Sequence, residues 1–166
     1  MTLMTTSNAG IDAIKKWEQF LPKGVYLSFN GVREKYPTIG WGHNGPDVKT
    51  GEYITQEAAD ELLHKDLTAF EQEVNALGKN LTQAQFDALV SWIYNLGTGN
   101  FRSSTLRKKI LSEAPDEQIT DQMVRWVRAG GQVLLGLKKR RVAEANMFLG
   151  TTLYYIDKNE VICKRR

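Results

Sequence analysis

The chain has 166 residues, of which 42% are hydrophobic and 25% are charged, which is the balance of an ordinary globular protein of about one domain. Cys163 is the only cysteine, which excludes an intramolecular disulfide framework and a cysteine-based structural zinc site. No apolar run approaches the roughly 18 residues that a membrane span needs. The N-terminus lacks a basic region followed by an apolar stretch, so we expect a soluble protein made without a classical export signal.

The net charge of +3 is unevenly distributed along the chain. Residues 1–100 carry 8 basic and 12 acidic side chains (−4), residues 101–124 carry 4 of each, and residues 125–166 carry 10 basic and 3 acidic side chains (+7). The basic C-terminal third fits an anionic partner such as nucleic acid, a membrane surface or a cell wall. It fits a solvated helix face followed by a charged tail equally well.

The N-terminal part of the chain predicts one short helix followed by a small sheet. Apolar residues repeat at spacings of three and four, with Ser7 as N-cap and Pro22 as a stop, which predicts a helix over about residues 8–20. From Gly24 to Ile54, β-rich runs alternate with turn signals, and an Asn-Gly pair at 30–31 is a strong hairpin signal. We therefore expect a small antiparallel sheet of short strands.

The rest of the chain predicts helices. Apolar residues repeat at helical spacing over about residues 56–77 and predict a long helix there, with Thr55 as its N-cap. A helix of this length would span roughly 33 Å. Thr82 and Gln85 form a capping-box pattern at the start of the next helix. Shorter helices are predicted at about residues 104–112, 116–128 and 135–149.

These elements predict an α+β, mostly helical, two-lobed fold with a small β-sheet lobe, a long connecting helix and a helical lobe. A cleft between lobes is a favoured ligand site. The tail after Gly150 fits either a hairpin or a frayed end. The expected organisation is a catalytic domain at 1–150 followed by a basic C-terminal tail at 151–166. Within the catalytic domain, the small lobe covers about 12–60 and the connecting helix about 56–77. The helical lobe covers about 78–150 together with the first helix.

Two stretches of the N-terminal part carry side chains suited to acid–base chemistry. Glu18 stands near the end of the first helix, where unsatisfied carbonyls disfavour an ionised carboxylate, as suits a proton donor, although a solvated helix-end glutamate fits the position too. Residues 38–43 read Thr-Ile-Gly-Trp-Gly-His, and their two glycines allow a close backbone approach. Thr38 alone fits a plain strand residue. His43 alone fits a structural histidine, whose partner on the long helix would be Asp66.

These residues resemble the phage-type lysozymes, glycoside hydrolase family 24, which act as endolysins on peptidoglycan. The resemblance covers about residues 9–149. It rests on motifs that follow the family's order: Lys16-Trp17-Glu18, Tyr26, Thr38 to His43, Gln85 to Ser91, Tyr94-Asn95-Leu96-Gly97, Ser103 to Leu106, and Trp126 to Arg141.

The resemblance implies a two-lobed lysozyme fold that hydrolyses the β-1,4 bond between N-acetylmuramic acid and N-acetylglucosamine. Glu18 matches the catalytic acid, and Thr38 matches the threonine beside the attacking water. His43 and Asp66 match a structural pair across the lobes. The positions that match sugar-contacting residues of the helical lobe are Tyr94, Asn95 and Ser104.

The family's usual second carboxylate, an aspartate, is missing. Residues 19–46 contain no aspartate, although Ser28 and Asn30 lie near the expected place. Glu34 is the only acid in that window, so it is the candidate replacement, while a solvated turn residue fits it as well. Gln19 is a smaller departure, because a glycine usually follows the catalytic glutamate in this family.

The leading hypothesis is that Glu18 is the acid while Glu34 and Thr38 place and activate a water. The missing aspartate leaves open a lytic transglycosylase, in which the muramic 6-hydroxyl attacks and one acid suffices. The alternative of another class is a non-catalytic binder of an anionic polymer. Nucleic acid is disfavoured as that polymer, because the basic residues 138–141 fall inside a family motif and lack interleaved aromatic residues.

The resemblance also indicates the partners. Bacterial peptidoglycan is the expected substrate, acid–base chemistry needs no cofactor, and His43 and His64 lack the paired spacing of metal ligands. We expect a monomer that stays in the host cytoplasm until a holin-type membrane protein makes a lesion, and then acts in the periplasm on the cell wall.

Overall fold

The computed structural model describes residues 2–29 and 31–166. These residues form a mostly helical α+β fold, as expected. The helices are α1 (Asn8–Glu18), α2 (Gln56–Asn75), α3 (Gln83–Leu96), α4 (Thr98–Ser103), α5 (Thr105–Leu111), α6 (Asp116–Met123) and α7 (Leu135–Leu149). The strands are β1 (Leu21–Val25), β2 (Ser28–Phe29), β3 (Val32–Arg33), β4 (Thr38–Gly40), β5 (His43–Asn44), β6 (Arg128–Ala129), β7 (Gln132–Val133), β8 (Tyr154–Ile156) and β9 (Ile162–Lys164).

The described chain forms two compact units. Unit 1 contains the residues up to Ile11 together with Phe70–Arg166, and unit 2 contains Asp12–Ala69. Helices α1 and α2 each contribute residues to both units. Among the described helices, none combines the length and the apolar character that crossing a bilayer requires.

Unit 2 contains two small antiparallel sheets. Strands β1, β4 and β5 form one sheet in that order, with Leu21 opposite Gly40 and Thr38 opposite Asn44. Strands β2 and β3 form a separate hairpin, which confirms the hairpin predicted from the Asn-Gly pair. Asn30 itself lies outside the described residues.

Helix α1 begins as predicted and ends earlier than predicted. The Ser7 hydroxyl accepts a hydrogen bond from the Gly10 amide at 3.2 Å, which is the bond of an N-cap. The helix ends at Glu18, two residues before the predicted end, because Gln19 adopts a left-handed conformation with φ of 57°. That backbone turn leads directly into β1.

A buried carboxylate fixes the start of α1 in unit 1. Asp87, on α3, accepts hydrogen bonds from the Ser7 amide at 3.0 Å, from the Ser7 hydroxyl, and from Gln83 Nε2 at 2.9 Å. Gly10 passes so close that a Cβ there would lie 2.7 Å from Asp87 Cγ. The helix that carries Glu18 is therefore anchored at its first turn.

The core of unit 1 is built around α3. The predicted capping box of Thr82 and Gln85 is present, and the helix is buried on nearly every side, as expected of the central helix of a small helical unit. The Trp92 indole nitrogen donates to the Met123 carbonyl at 3.3 Å. The largest fully buried apolar side chains packed in this unit are Trp92, Tyr154, Phe86, Phe101, Leu89, Ile93, Leu106 and Met123.

One prediction for the C-terminal half was wrong, and one helix was missed. The helix predicted over 116–128 ends at Met123, because the following residues form a β6–β7 hairpin around Gly130 and Gly131, both at positive φ. Helix α4 (Thr98–Ser103) was not predicted. Helix α7 has the predicted bounds.

The tail after Gly150 forms the β8–β9 hairpin. The Asn146 side chain on α7 both donates to the Tyr154 carbonyl at 2.9 Å and accepts from the Tyr154 amide at 2.8 Å. The tail thus packs on the last helix as part of unit 1.

Candidate active site

The Glu18 carboxylate lies against the backbone of Gly42. An ideal Cβ on Gly42 would lie 2.8 Å from Glu18 Oε2 and 3.3 Å from Glu18 Cδ. Gly42 has φ of 92°, a region that favours glycine. Leu21, three residues after Glu18, pairs with Gly40, so the sheet brings the end of α1 to the loop that contains Gly42. The structure therefore joins the predicted acid to the predicted Thr-Ile-Gly-Trp-Gly-His motif.

Glu34 and Thr38 are in direct contact. The buried Thr38 hydroxyl donates to Glu34 Oε2 at 2.7 Å, and the Glu34 backbone amide donates to the Leu27 carbonyl at 2.9 Å. Glu34 is half-buried and bound by Thr38, which favours a site residue over the alternative of a solvated turn residue. The structure brings the candidate replacement carboxylate to the threonine, while its catalytic role stays a prediction.

Asn44, which was not among the predicted site residues, binds both of these side chains. Its Nδ2 atom lies 3.0 Å from Thr38 Oγ1 and 3.2 Å from Glu34 Oε2. The same atom donates to the carbonyls of Tyr36 at 2.6 Å and Pro37 at 3.2 Å. The sequence signal available was its place just after the motif, where a tight β4–β5 hairpin returns the chain to Thr38.

A second cluster ties α1 and α2 to the same loop. Asp60 on α2 accepts a hydrogen bond from the Trp41 indole at 2.7 Å and pairs with Lys15 Nζ at 2.8 Å. The hydrogen bond from Lys15, assisted by that from Trp41, lowers the pKa of Asp60. Phe20 packs on Trp41 with ring centroids 5.2 Å apart. The Asp60 carboxylate thus holds both Lys15, on the helix that carries Glu18, and Trp41, which precedes Gly42.

His43 and Asp66 form the predicted pair, with His43 Nδ1 2.8 Å from Asp66 Oδ2. Both residues belong to unit 2, so the pair lies within one unit and the expectation that it crosses the lobes was wrong. Burial lowers the pKa of His43, but hydrogen bonds to Asp66 and Asp47 outweigh burial and raise it overall. Burial also raises the pKa of Asp66, partly offset by the bond to His43. Among the described residues, no group of His, Cys, Asp or Glu side chains is arranged to hold a metal ion.

The three predicted sugar-contacting residues lie in unit 1. The Tyr94 ring packs edge-on against Phe70, with centroids 5.3 Å apart. Asn95 Oδ1 accepts from Arg141 Nη2 at 2.5 Å. The buried Ser104 hydroxyl caps α5 by accepting from the Arg107 amide at 3.0 Å. These contacts give Ser104 a structural task, and the sugar contacts of all three residues stay predictions.

The basic C-terminal third is less available to an anionic polymer than its charge suggests. Arg140 and Arg141 are 4% and 0% exposed and pair with buried Glu144 at 3.0 and 3.2 Å. Lys164 pairs with Glu117 and Asp121 at 2.6 and 2.8 Å. Three of the ten basic side chains in this region therefore already face carboxylates, which weakens the non-catalytic alternative.

Comparison with known proteins gives consistent matches. Residues 15–144 match the family model for phage lysozyme. The chain is 41% identical over 148 residues to an endolysin of Bacillus phage B103, with 88% of this chain and 54% of that protein covered. It is 34% identical to an endolysin of Salmonella phage P22, with 89% of this chain and 99% of that protein covered. The chain spans about half the length of the Bacillus phage relatives it matches.

A solved structure shows the same fold. The endolysin from Escherichia coli O157:H7 phage FAHEc1 has a TM-score of 0.76 at 33% identity, with 89% of this chain and 95% of that chain covered. This match confirms the predicted fold class.

Proposed function

Because the chain belongs to the phage lysozyme family, we propose that it degrades bacterial peptidoglycan as a muramidase. The bond cleaved is the β-1,4 bond between N-acetylmuramic acid and N-acetylglucosamine. The observation that carries the proposal is the arrangement of the Glu18 carboxylate against Gly42 near the end of the strand that presents Thr38 and its partner Glu34. The likeness to endolysins supports the same substrate.

Glu18 is the proton donor in this proposal. Cleavage of a glycosidic bond needs an acid that protonates the leaving oxygen while the bond from the anomeric carbon breaks. The absence of a side chain at Gly42 leaves room for the carboxylate on this side of the loop. The leaving sugar departs with the proton as its free 4-hydroxyl.

In this proposal Glu34 and Thr38 position the attacking water, and Glu34 accepts its proton. The Thr38 hydroxyl proton is committed to Glu34 Oε2, so Thr38 Oγ1 can accept one hydrogen of a water while Glu34 Oε1 accepts the other. The water oxygen then bonds to the anomeric carbon and its proton passes to Glu34. Exchange with solvent returns the proton to Glu18, which balances the reaction.

This arrangement favours hydrolysis over the transglycosylase alternative. The alternative was motivated by the missing aspartate, and it requires no second carboxylate. The Glu34–Thr38 hydrogen bond supplies a carboxylate next to the threonine. Hydrolysis yields a reducing muramic end, whereas attack by the muramic 6-hydroxyl yields an anhydro end.

Purified peptidoglycan digested by wild type, Glu18→Gln and Glu34→Gln tests the proposal, with product ends identified by mass spectrometry. Glu61→Gln, an exposed change on α2, is the matched control. We expect reducing muramic ends from wild type and the control, and their loss in both site variants. Anhydro ends that survive Glu34→Gln would identify a transglycosylase, and an inactive wild type would reinstate the polymer-binding alternative.

We also propose that the protein acts as a monomer on the cell wall and that a holin-type partner opens the membrane to it. The likeness to phage endolysins supports this route. Expression in a bacterial host with and without a holin tests it by turbidity and fractionation. Lysis only with the holin is expected, and lysis without one would contradict the partner.

A further inference from the structure

We infer that Asn44 is a positioning residue for Glu34 and Thr38, an inference that rests on the proposed function. Asn44 and Thr38 are cross-strand partners in the β4–β5 pair. This register brings Asn44 Nδ2 to 3.0 Å from Thr38 Oγ1 and 3.2 Å from Glu34 Oε2. The Asn44 amide therefore contacts both the Thr38 hydroxyl and the Glu34 carboxylate, the two groups proposed to position and activate the water.

The orientation of the Asn44 amide is fixed by its surroundings. The atom that faces Thr38 and Glu34 also faces the carbonyl oxygens of Tyr36 and Pro37, at 2.6 and 3.2 Å. Carbonyl oxygens only accept hydrogen bonds, so the atom facing them is the NH₂ group rather than the amide oxygen. Its two hydrogens are shared among four acceptors that all belong to the segment from Glu34 to Thr38.

The amide determines where the Thr38 proton points. Since Asn44 donates to Thr38 Oγ1, that side of the hydroxyl oxygen is occupied, and the hydroxyl proton is directed to Glu34 Oε2 at 2.7 Å. Both side-chain hydrogen bonds that described residues give to Glu34 end on Oε2. The carboxylate is thereby held with Oε1 as the oxygen that takes the proton of the water.

Loss of this amide would loosen the geometry without unfolding the protein. Asn44 is exposed, so its truncation removes little buried surface. The effect should fall on the chemical step, because a small displacement of a catalytic group lowers the rate far more than it lowers binding. We expect kcat to fall about 10- to 50-fold, with KM within about twofold of wild type.

The experiment is a double-mutant cycle on soluble peptidoglycan fragments, with Asn44→Ala, Glu34→Gln and the double variant. Asn80→Ala, at an exposed asparagine in unit 1, is the control for truncating an amide. Melting temperatures are measured for all variants, and assays are run well below them. If Asn44 acts through Glu34, Asn44→Ala lowers kcat in the wild type but has almost no further effect in the Glu34→Gln background.

Each other outcome overturns the inference in a recognisable way. Additive effects in the cycle would mean that Asn44 acts independently of Glu34, and a raised KM at unchanged kcat would make it a substrate contact. If Asn44→Ala loses activity only to the extent that its melting temperature falls, the role of Asn44 is structural. Full activity of Glu34→Gln itself would instead refute the proposed base, whereas loss in Glu34→Gln with a normal Asn44→Ala would refute this inference alone.

Discussion

The Glu18 carboxylate occupies the space that a side chain on residue 42 would need. A Cβ on Gly42 would come within 2.8 Å of Glu18 Oε2, closer than real Cβ atoms approach an oxygen. Gly42→Ala must therefore displace the proposed acid. We expect at least about 100-fold lower activity on peptidoglycan, because a shift of about 1 Å in a catalytic group is that costly.

The control for Gly42→Ala is Gly131→Ala. Gly131 also has positive φ, 79° against 92° for Gly42, but a Cβ there meets no atom within 4 Å. Both variants should lose about 1–2 kcal/mol of unfolding free energy from backbone strain, measured by urea denaturation. Only Gly42→Ala should lose activity, and equal activities would show that Glu18 tolerates the displacement.

Gln19→Gly should stabilise the protein. Gln19 has φ of 57°, a left-handed conformation that strains any residue with a Cβ. Glycine adopts it freely, and the relief exceeds the extra chain entropy by about 0.5–1 kcal/mol. Urea midpoints of wild type, Gln19→Gly and Gln19→Ala check this. Ala keeps the Cβ and should bring no gain, so equal midpoints for the Gly and Ala variants would contradict the explanation.

The sequence predicts those elements whose signals are local. The capping box at Thr82 and the bounds of α7 follow from residues within the element itself. The end of α1 could not be predicted, because glutamine does not usually adopt the left-handed conformation that Gln19 has. A glycine at this position would have indicated the turn. Helix α4 is too short for an apolar period to show.

Site residues could be predicted where the sequence itself singles them out. They could not be predicted where the contact depends on which residues pair across two strands. Glu34 could be proposed because it is the only acid in its window. Asn44 could not, since its contact with Thr38 depends on the register of β4 and β5. Register follows from turn geometry, which composition does not reveal.

Stability should fall as pH rises through the titration of His43. Hydrogen bonds to Asp66 and Asp47 outweigh burial and raise the pKa of His43 above its ordinary value of 6.5. Protonated His43 therefore stabilises the fold fully below about pH 6.5, and this contribution is lost as pH rises through the raised pKa. Wild type should lose more unfolding free energy between pH 6 and pH 8.5 than His43→Gln, as measured by urea denaturation at both pH values.

The control for His43 is His64→Gln, which removes the other histidine at an exposed position of α2. This variant keeps His43 with Asp66 and Asp47, so the loss of unfolding free energy that His43 causes between pH 6 and pH 8.5 should remain. At pH 6, His43→Gln should also be less stable than wild type by about 1.5–3 kcal/mol, the contribution of a hydrogen bond to a charged group. An unchanged slope in His43→Gln would assign the pH dependence to other groups.

Glu144 should be among the most costly side chains to neutralise. It is 3% exposed and is bound by the Ser91 hydroxyl at 2.7 Å, Arg140 at 3.0 Å and Arg141 at 3.2 Å. Glu144→Gln removes the carboxylate charge that pairs with both guanidinium groups in this buried cluster, so we expect a loss of about 3–5 kcal/mol in urea denaturation. Glu113→Gln breaks the exposed pair with Lys79 and should change the midpoint little, because solvent screens that pair. Comparable losses in the two variants would show that burial does not set the strength of the Glu144 cluster.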